Sequence, residues 1–101
     1  MARRRRVRAP SHPGELLREV VLPAMSVSIA QAAREMGVSR QQLYMILREE
    51  RAITAEMATR LGKYCGNGAE LWLNMQNARD LWCARRSLAD EIAVIPTRGA
   101  G

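Results

Sequence analysis

A chain of 101 residues with 48% hydrophobic residues, no phenylalanine and a net charge of +6 has room for one small domain with an aliphatic core. No apolar run approaches the roughly 18 residues of a membrane span, and no apolar segment follows the arginine run as it would in an export signal. Two separated cysteines and a single histidine do not form a zinc-ligand pattern. We therefore expect a cytoplasmic protein with free thiols, no metal and no cofactor.

The first residues of the chain are strongly basic. Residues 1–9 contain no acidic residue and five arginines, namely Arg3, Arg4, Arg5, Arg6 and Arg8. The rest of the chain is nearly neutral, with 11 of the 16 basic residues and all 10 acidic ones. Residues 1–11 are therefore predicted to form a flexible arm that binds a polyanion. A merely solubilising tail is the alternative.

The first predicted helix begins at Pro13 and Gly14, with Glu15 in its first turn, where an acidic residue suits the helix dipole. Four apolar residues form its expected buried stripe: Leu16, Leu17, Val20 and Val21. Pro23 is expected to end this helix near Val21 or Leu22, because proline disfavours helical backbone at the residue before it.

Residues 28–48, with the sequence SIAQAAREMGVSRQQLYMILR, predict two short helices joined by a tight turn. Apolar residues occupy one face of the first helix: Ile29, Ala32, Ala33 and Met36. Gly37 is expected to end that helix in the left-handed conformation. Ser39 then caps the second helix, and Gln42 completes a capping box. This spacing is typical of a helix-turn-helix unit.

The second helix of this unit is the predicted recognition helix, the one that enters a DNA major groove. Leu43, Ile46 and Leu47 face the core, which leaves mainly polar residues on the opposite side of the helix. The full predicted DNA-binding set is Ser28, Gln31, Ser39, Arg40, Gln41, Gln42, Tyr44, Met45 and Arg48.

Individual roles follow from side-chain chemistry. Arg40 is expected to donate two hydrogen bonds to a guanine, and Gln41 to pair with adenine or contact phosphate. Tyr44 would touch a thymine methyl group or a phosphate. Gln42 could contact adenine or phosphate, or its side chain could instead complete the capping box. The alternative for Arg40 is a solvated side chain that contacts no DNA. The helix N-termini behind Ser28 and Ser39 also suit phosphates.

Two further helices follow. Thr54 is expected to cap a helix from about Ala55 to Cys65, and Gly66 to end it. The longest helix then runs from Ala69 to about Arg86, with a wide apolar face. Its predicted dimer-interface residues are Leu71, Trp72, Met75, Ala78 and Trp82. The alternative is that both tryptophans belong to the core of the chain itself.

The predicted fold is all-α, with five helices in a phage-repressor-like helix-turn-helix domain. We assign residues 1–11 to the basic arm, residues 12–86 to the DNA-binding domain with its C-terminal dimerisation helix, and residues 87–101 to a tail. An enzyme is not expected, because the sequence contains no histidine-assisted nucleophile, no Gly-rich phosphate loop and no carboxylate pair in an apolar setting.

Several blocks of the sequence resemble the HigA-type antitoxins, a branch of the phage-repressor-like helix-turn-helix family. The resemblance covers about residues 12–85, and His-Pro-Gly-Glu and Trp-Leu-Asn-Met-Gln are its most specific parts. The matching blocks are HPGELLRE at 12–19, AAREMGVSR at 32–40, RAITAEMA at 51–58, LWLNMQ at 71–76 and DLW at 80–82.

The resemblance implies a homodimeric repressor that binds a palindromic operator in double-stranded DNA through its third helix. It also implies that the protein neutralises a cognate RNA-cleaving toxin encoded in the same operon. Two features depart from the family: Glu49-Glu50 stands where Asn-Gly is usual, and the arginine-rich start is longer. A solitary transcriptional regulator without a toxin is the alternative, and a protein-only adaptor is a more distant one.

Overall fold

The computed structural model describes residues 8–99, in which all regular secondary structure is helical. The all-α prediction is confirmed, and a short sixth helix, α6, lies in the segment predicted as a tail. Residues 1–7 of the predicted arm lie outside the described residues. The helices are α1 at Pro13–Met25, α2 at Ile29–Met36, α3 at Arg40–Leu47, α4 at Ala55–Cys65, α5 at Ala69–Ser87 and α6 at Ala89–Ala93.

Helix α1 does not end where Pro23 predicts. A π-helical turn, Leu17–Val21, precedes the proline, and the Leu22 amide donates to the Leu17 carbonyl. Proline lacks an N–H and collides with the carbonyl four residues earlier in a regular helix. The wider turn changes that hydrogen-bond register, so the helix continues through Pro23 until Ser26 adopts a left-handed φ of 57°. The expected end near Val21 or Leu22 is therefore wrong.

The helix-turn-helix unit forms as the sequence predicts. The Ser28 hydroxyl accepts the Gln31 amide and the Ser39 hydroxyl accepts the Gln42 amide, both at 3.0 Å. Gly37 ends α2 with φ of 76°, a conformation that favours glycine. Only one of the two hydrogen bonds of the predicted capping box forms within residues 8–99. The Ser39 hydroxyl accepts the Gln42 amide, but the Gln42 side chain does not accept the Ser39 amide in return.

The core lies where α1, α2, α3, α4 and the start of α5 meet. Its buried apolar residues are Leu17, Leu22, Ala32, Ala33, Met36, Leu43, Ile46, Leu47, Ile53, Met57, Ala58, Leu61 and Trp72. One buried polar residue, Gln76, forms hydrogen bonds through both ends of its amide group: its carbonyl accepts the Ile53 amide at 2.8 Å and its NH₂ group donates to Asp80 at 3.0 Å. Gln76 thereby fastens α5 to the segment that enters α4.

The two tryptophans of α5 have different environments. Trp72 is 0% exposed, and its indole N–H donates to the Asn67 side chain at 2.9 Å. Trp82 is half-buried and lies beneath the Arg86 guanidinium, 4.7 Å from the ring centroid. Trp72 is therefore a core residue, and its prediction as a dimer-interface residue is wrong.

Among residues 8–99, no single helix has the length and apolar character to cross a membrane. Helices α1 and α2 are long and apolar enough only when they are taken together, and a bend of 97° separates them.

Candidate nucleic-acid interface

The outer side of α3 carries the polar side chains that the sequence assigns to DNA. Arg40 and Gln41 are exposed, and Tyr44 is 41% exposed despite its aromatic ring. None of these three side chains has a hydrogen-bond partner among the described residues. Gln42 and Met45 lie at the edge of this face and are half-buried. The α3 surface therefore presents two exposed polar side chains, whose groups are chemically suited to base edges or phosphates, and one exposed ring.

The opposite side of α3 holds this face in place. Leu43, Ile46 and Leu47 are 0%, 1% and 4% exposed, respectively. Each lies in the core cluster, so α3 cannot roll without exposing apolar surface to water. A helix fixed behind and polar in front is the arrangement of a recognition helix in the major groove.

Two helix N-termini open to solvent on this unit. Ser28 and Ser39 are both exposed at the starts of α2 and α3. Each hydroxyl already accepts one backbone amide, which leaves its hydrogen available as a donor. The positive ends of the two helix dipoles and these donors together suit phosphate oxygens.

Gln31 is already engaged within α2. Its side-chain amide donates to Glu35 at 3.1 Å, and Glu35 also accepts the Tyr64 hydroxyl at 2.6 Å. The carboxylate beside it raises the pKa of Tyr64 to about 12, and the two hydrogen bonds lower the pKa of Glu35. A DNA contact by Gln31 has to compete with Glu35, a pairing that the sequence analysis did not find.

The C-terminal end of α3 carries alternating charges. Arg48, a predicted DNA-binding residue, forms an ion pair with Glu50 at 3.3 Å. Glu49 between them has a φ of 62°, which is unusual for a residue with a side chain. Arg18 of α1 donates to the Leu47 carbonyl and, at 3.3 Å, to the Glu49 carboxylate. The sequence analysis missed Arg18, and no local pattern connects it with residues so far along the chain.

The chain enters α1 beside this same end of α3. His12 is buried, and its Nδ1 atom accepts the Gly14 amide at 2.9 Å as the N-cap of α1. Gly14 lies against α3 so closely that a Cβ atom there would overlap the Ile46 carbonyl. Arg79 of α5 donates to the Pro10 carbonyl at 2.9 Å. The start of α1 is therefore next to the last turn of α3, whereas Pro10, where the basic segment ends, is held by α5.

Helices α5 and α6 expose apolar side chains at their junction. Leu81, Leu88 and Ile92 are 51%, 43% and 52% exposed. They line a shallow groove on one side of the two helices together with Ala84, Arg85, Ala89 and Ala93. Among the predicted interface residues, Leu71 and Ala78 are exposed, and Met75 and Trp82 are half-buried. This groove adds exposed apolar side chains that lie further along the chain than the predicted interface residues.

Comparison with known proteins gives concordant matches. A protein-family model described as helix-turn-helix matches residues 17–72. "Virulence-associated protein I" of Dichelobacter nodosus is 44% identical over 85 residues, which cover 84% of this chain and 79% of that protein.

Solved structures give matches over most of the chain. The Pseudomonas aeruginosa antitoxin HigA, solved with the higBA promoter, is 37% identical with a TM-score of 0.82, covering 89% of this chain and 99% of that one. The antitoxin GraA in complex with its operator is 37% identical with a TM-score of 0.82, covering 98% of this chain and all of that one.

Proposed function

The chain belongs to the helix-turn-helix family that matches residues 17–72, and we propose that it is a HigA-like antitoxin and autorepressor that reads an operator through α3. The exposed polar face of α3, fixed by the buried Leu43, Ile46 and Leu47, is the observation that carries this proposal. Two solved relatives, named as antitoxins, were determined with promoter or operator DNA, which supports the same role for this chain.

Five exposed residues of the unit have the roles that their chemistry permits. Arg40 contacts guanine, Gln41 contacts adenine or phosphate, and Tyr44 contacts a thymine methyl group or a phosphate. Ser28 and Ser39 bind phosphates at the helix N-termini. Four residues of the predicted set contribute at the edges of this surface: Gln31, Gln42, Met45 and Arg48.

Operator recognition in this proposal requires a homodimer. Two half-sites one helical turn apart need recognition helices separated by roughly 34 Å, which a two-fold pair supplies. We place the dimer contact at the exposed α5–α6 surface, with Leu81, Leu88 and Ile92 added to the exposed members of the predicted set. Arg85 and Arg86 precede Asp90 and Glu91 along this surface, so two antiparallel copies can pair opposite charges across it.

The partner of an antitoxin is a toxin, and the resemblance to HigA-type proteins suggests an RNA-cleaving one. Such a protein works in the cytoplasm, where its operator and the toxin's substrate are found. The alternative is a solitary regulator without a toxin. The relative from Dichelobacter nodosus, which is named for virulence and not for antitoxin activity, is compatible with this alternative. Co-expression with a neighbouring toxic gene product, followed by co-purification, distinguishes the two.

The direct test measures binding to the DNA upstream of the protein's own gene. Wild type should bind this DNA far more tightly than a shuffled sequence of equal length. Arg40→Ala should lose roughly 1–3 kcal/mol on the operator and much less on the shuffled DNA, because a base contact is lost rather than a phosphate contact. Its far-UV circular dichroism should stay unchanged. Equal affinity of wild type for both DNAs would contradict the proposed function.

A further inference from the structure

Arg18 of α1 makes three side-chain hydrogen bonds, two of which reach the end of α3 and the residues after it. Its Nη1 atom donates to the backbone carbonyl of Leu47, the last residue of α3, and to the Glu49 carboxylate at 3.3 Å. Its Nε atom donates to Glu19, its neighbour in α1, at 2.8 Å. Arg18 itself lies in the π-helical turn of α1. One guanidinium therefore spans two helices, and only two of its bonds reach α3.

The Leu47 carbonyl needs such a donor. The last carbonyls of a helix have no amide of their own helix to pair with. Glu49 bends away from the helix with its left-handed φ of 62°, so the backbone continues in another direction. An arginine at this point satisfies the free carbonyl and carries the sign of charge that suits a helix C-terminus.

The Glu49 carboxylate is unfavourable for DNA binding at this position. It follows α3 by two residues, and at physiological salt it would repel any phosphate that comes within about 8 Å of it. The side chain is only 28% exposed, and its partner Arg18 is 40% exposed. The contact is solvent-exposed, so its attraction is modest, but it places a positive charge 3.3 Å from the Glu49 carboxylate and offsets part of its negative charge.

We infer that Arg18 is a positioning residue for operator binding, acting through the Leu47 carbonyl and the Glu49 carboxylate. It fixes the last turn of α3 against α1 and neutralises Glu49 beside the DNA. This inference rests on the proposed function, because it assigns Arg18 a role in orienting the same α3 surface. Arg18 is not assigned a contact with DNA.

A double-mutant cycle tests this role. Operator affinity is measured at one salt concentration for wild type, Arg18→Ala, Glu49→Gln and the double variant. Arg18→Ala should weaken binding roughly tenfold when Glu49 is present, and roughly threefold when residue 49 is glutamine, because no carboxylate is then left without its positive partner. Arg18→Lys should recover part of the loss, since it restores the charge but not the forked geometry.

Glu19→Gln is the matched control. It removes the partner of Arg18 within α1 and leaves both bonds to α3 in place. Operator affinity should change by less than about twofold, as expected for an exposed pair. All variants are compared well below their unfolding temperatures, and their circular dichroism should match that of wild type. An equal loss from Arg18→Ala in both residue-49 backgrounds, or no loss at all, overturns the inference.

A measurement without DNA separates this inference from the proposed function. The amides of Arg48, Glu49 and Glu50 donate to carbonyls in the last turns of α3. Arg18→Ala should accelerate their hydrogen exchange in the free protein, while Glu19→Gln should not. Unchanged exchange in Arg18→Ala contradicts the positioning role. Faster exchange combined with equal wild-type affinity for operator and shuffled DNA supports the contact and contradicts the proposed function instead.

Discussion

The α2–α3 unit and the α5–α6 junction differ in how they use apolar residues. In α2 and α3, every aliphatic side chain is buried or half-buried, and the exposed side chains are polar apart from Tyr44. At the α5–α6 junction, Leu81, Leu88 and Ile92 are each more than two-fifths exposed. The first region completes its packing within one chain. The second leaves an apolar surface of the kind that marks protein interfaces.

This comparison separates two kinds of recognition. A polar face on a rigid support suits DNA, because phosphates and base edges are bound by hydrogen bonds and charge. An apolar groove with charged edges suits another protein, because burial of its residues removes them from water. We therefore expect substitutions in α3 to change which DNA is bound, and substitutions at the α5–α6 junction to change how many copies assemble.

The largest effect is expected where α5 joins the core. Trp72→Ala removes a fully buried indole and should lower the free energy of unfolding by about 3–5 kcal/mol, a large part of the stability of so small a domain. Leu71→Ala, the control at the neighbouring exposed position, should cost about 1 kcal/mol or less. Urea denaturation measures both. Similar losses in the two variants would show that the inner and outer faces of α5 are misassigned.

The next largest effect is expected at the apolar groove. Leu88→Asp should give a folded monomer at about 10 µM in sedimentation and weaken operator binding about 100-fold, because each half-site alone retains only part of the affinity. Val94→Asp is the matched control, since Val94 is 80% exposed and does not line the groove. A monomeric wild type that binds its operator tightly would contradict the dimer proposal.

The two regions also differ in how far the sequence determines them. Helix ends in the α2–α3 unit follow from single residues, Ser28, Gly37 and Ser39, whose effects extend over three or four positions. The resemblance to HigA-type antitoxins is confirmed by solved relatives over most of the chain. In α5, helical spacing alone places Trp72 and Trp82 on one stripe. Which of them is covered depends on where α4 packs, and local sequence does not contain that information.

Two other departures have the same physical origin. The π-helical turn that allows α1 to continue through Pro23 is a response of the whole helix, whereas the proline rule concerns one residue and its neighbour. Arg18 meets Leu47 and Glu49 only after α1 has packed against α3. Contacts between residues far apart in the chain therefore account for what sequence analysis misses at the candidate site.

A smaller effect is expected from the basic segment that precedes α1. Deleting residues 1–9 removes five positive charges and leaves the Pro10–Arg79 contact in place. If these arginines contact phosphates, the slope of log affinity against log salt should become shallower by about 0.9 for each lost contact. An unchanged slope would show that the segment does not touch DNA. Replacement of the five arginines by glutamine controls for chain length.

The smallest effect is a loss of stability in mild acid, centred on His12. Burial is the main reason why the pKa of His12 lies below 6.5, and the positive charge of Arg79 lowers it further. Three groups oppose the shift: the carboxylates of Glu49 and Asp80, and a hydrogen bond with the Arg51 backbone. The unfolded chain therefore binds the proton more readily than the folded one. This contribution to stability is present above about pH 6.5 and is lost as the pH falls toward the folded pKa.

His12→Asn provides the measurement and its control together. Asparagine keeps a side-chain acceptor for the Gly14 amide at the N-cap of α1 but does not titrate. Between about pH 7.5 and pH 5.5, the free energy of unfolding of wild type should fall more than that of His12→Asn, because protonation converts the Nδ1 acceptor into a donor. Carboxylates contribute equally to both proteins over this range, so parallel pH profiles would show that His12 is not the group that titrates.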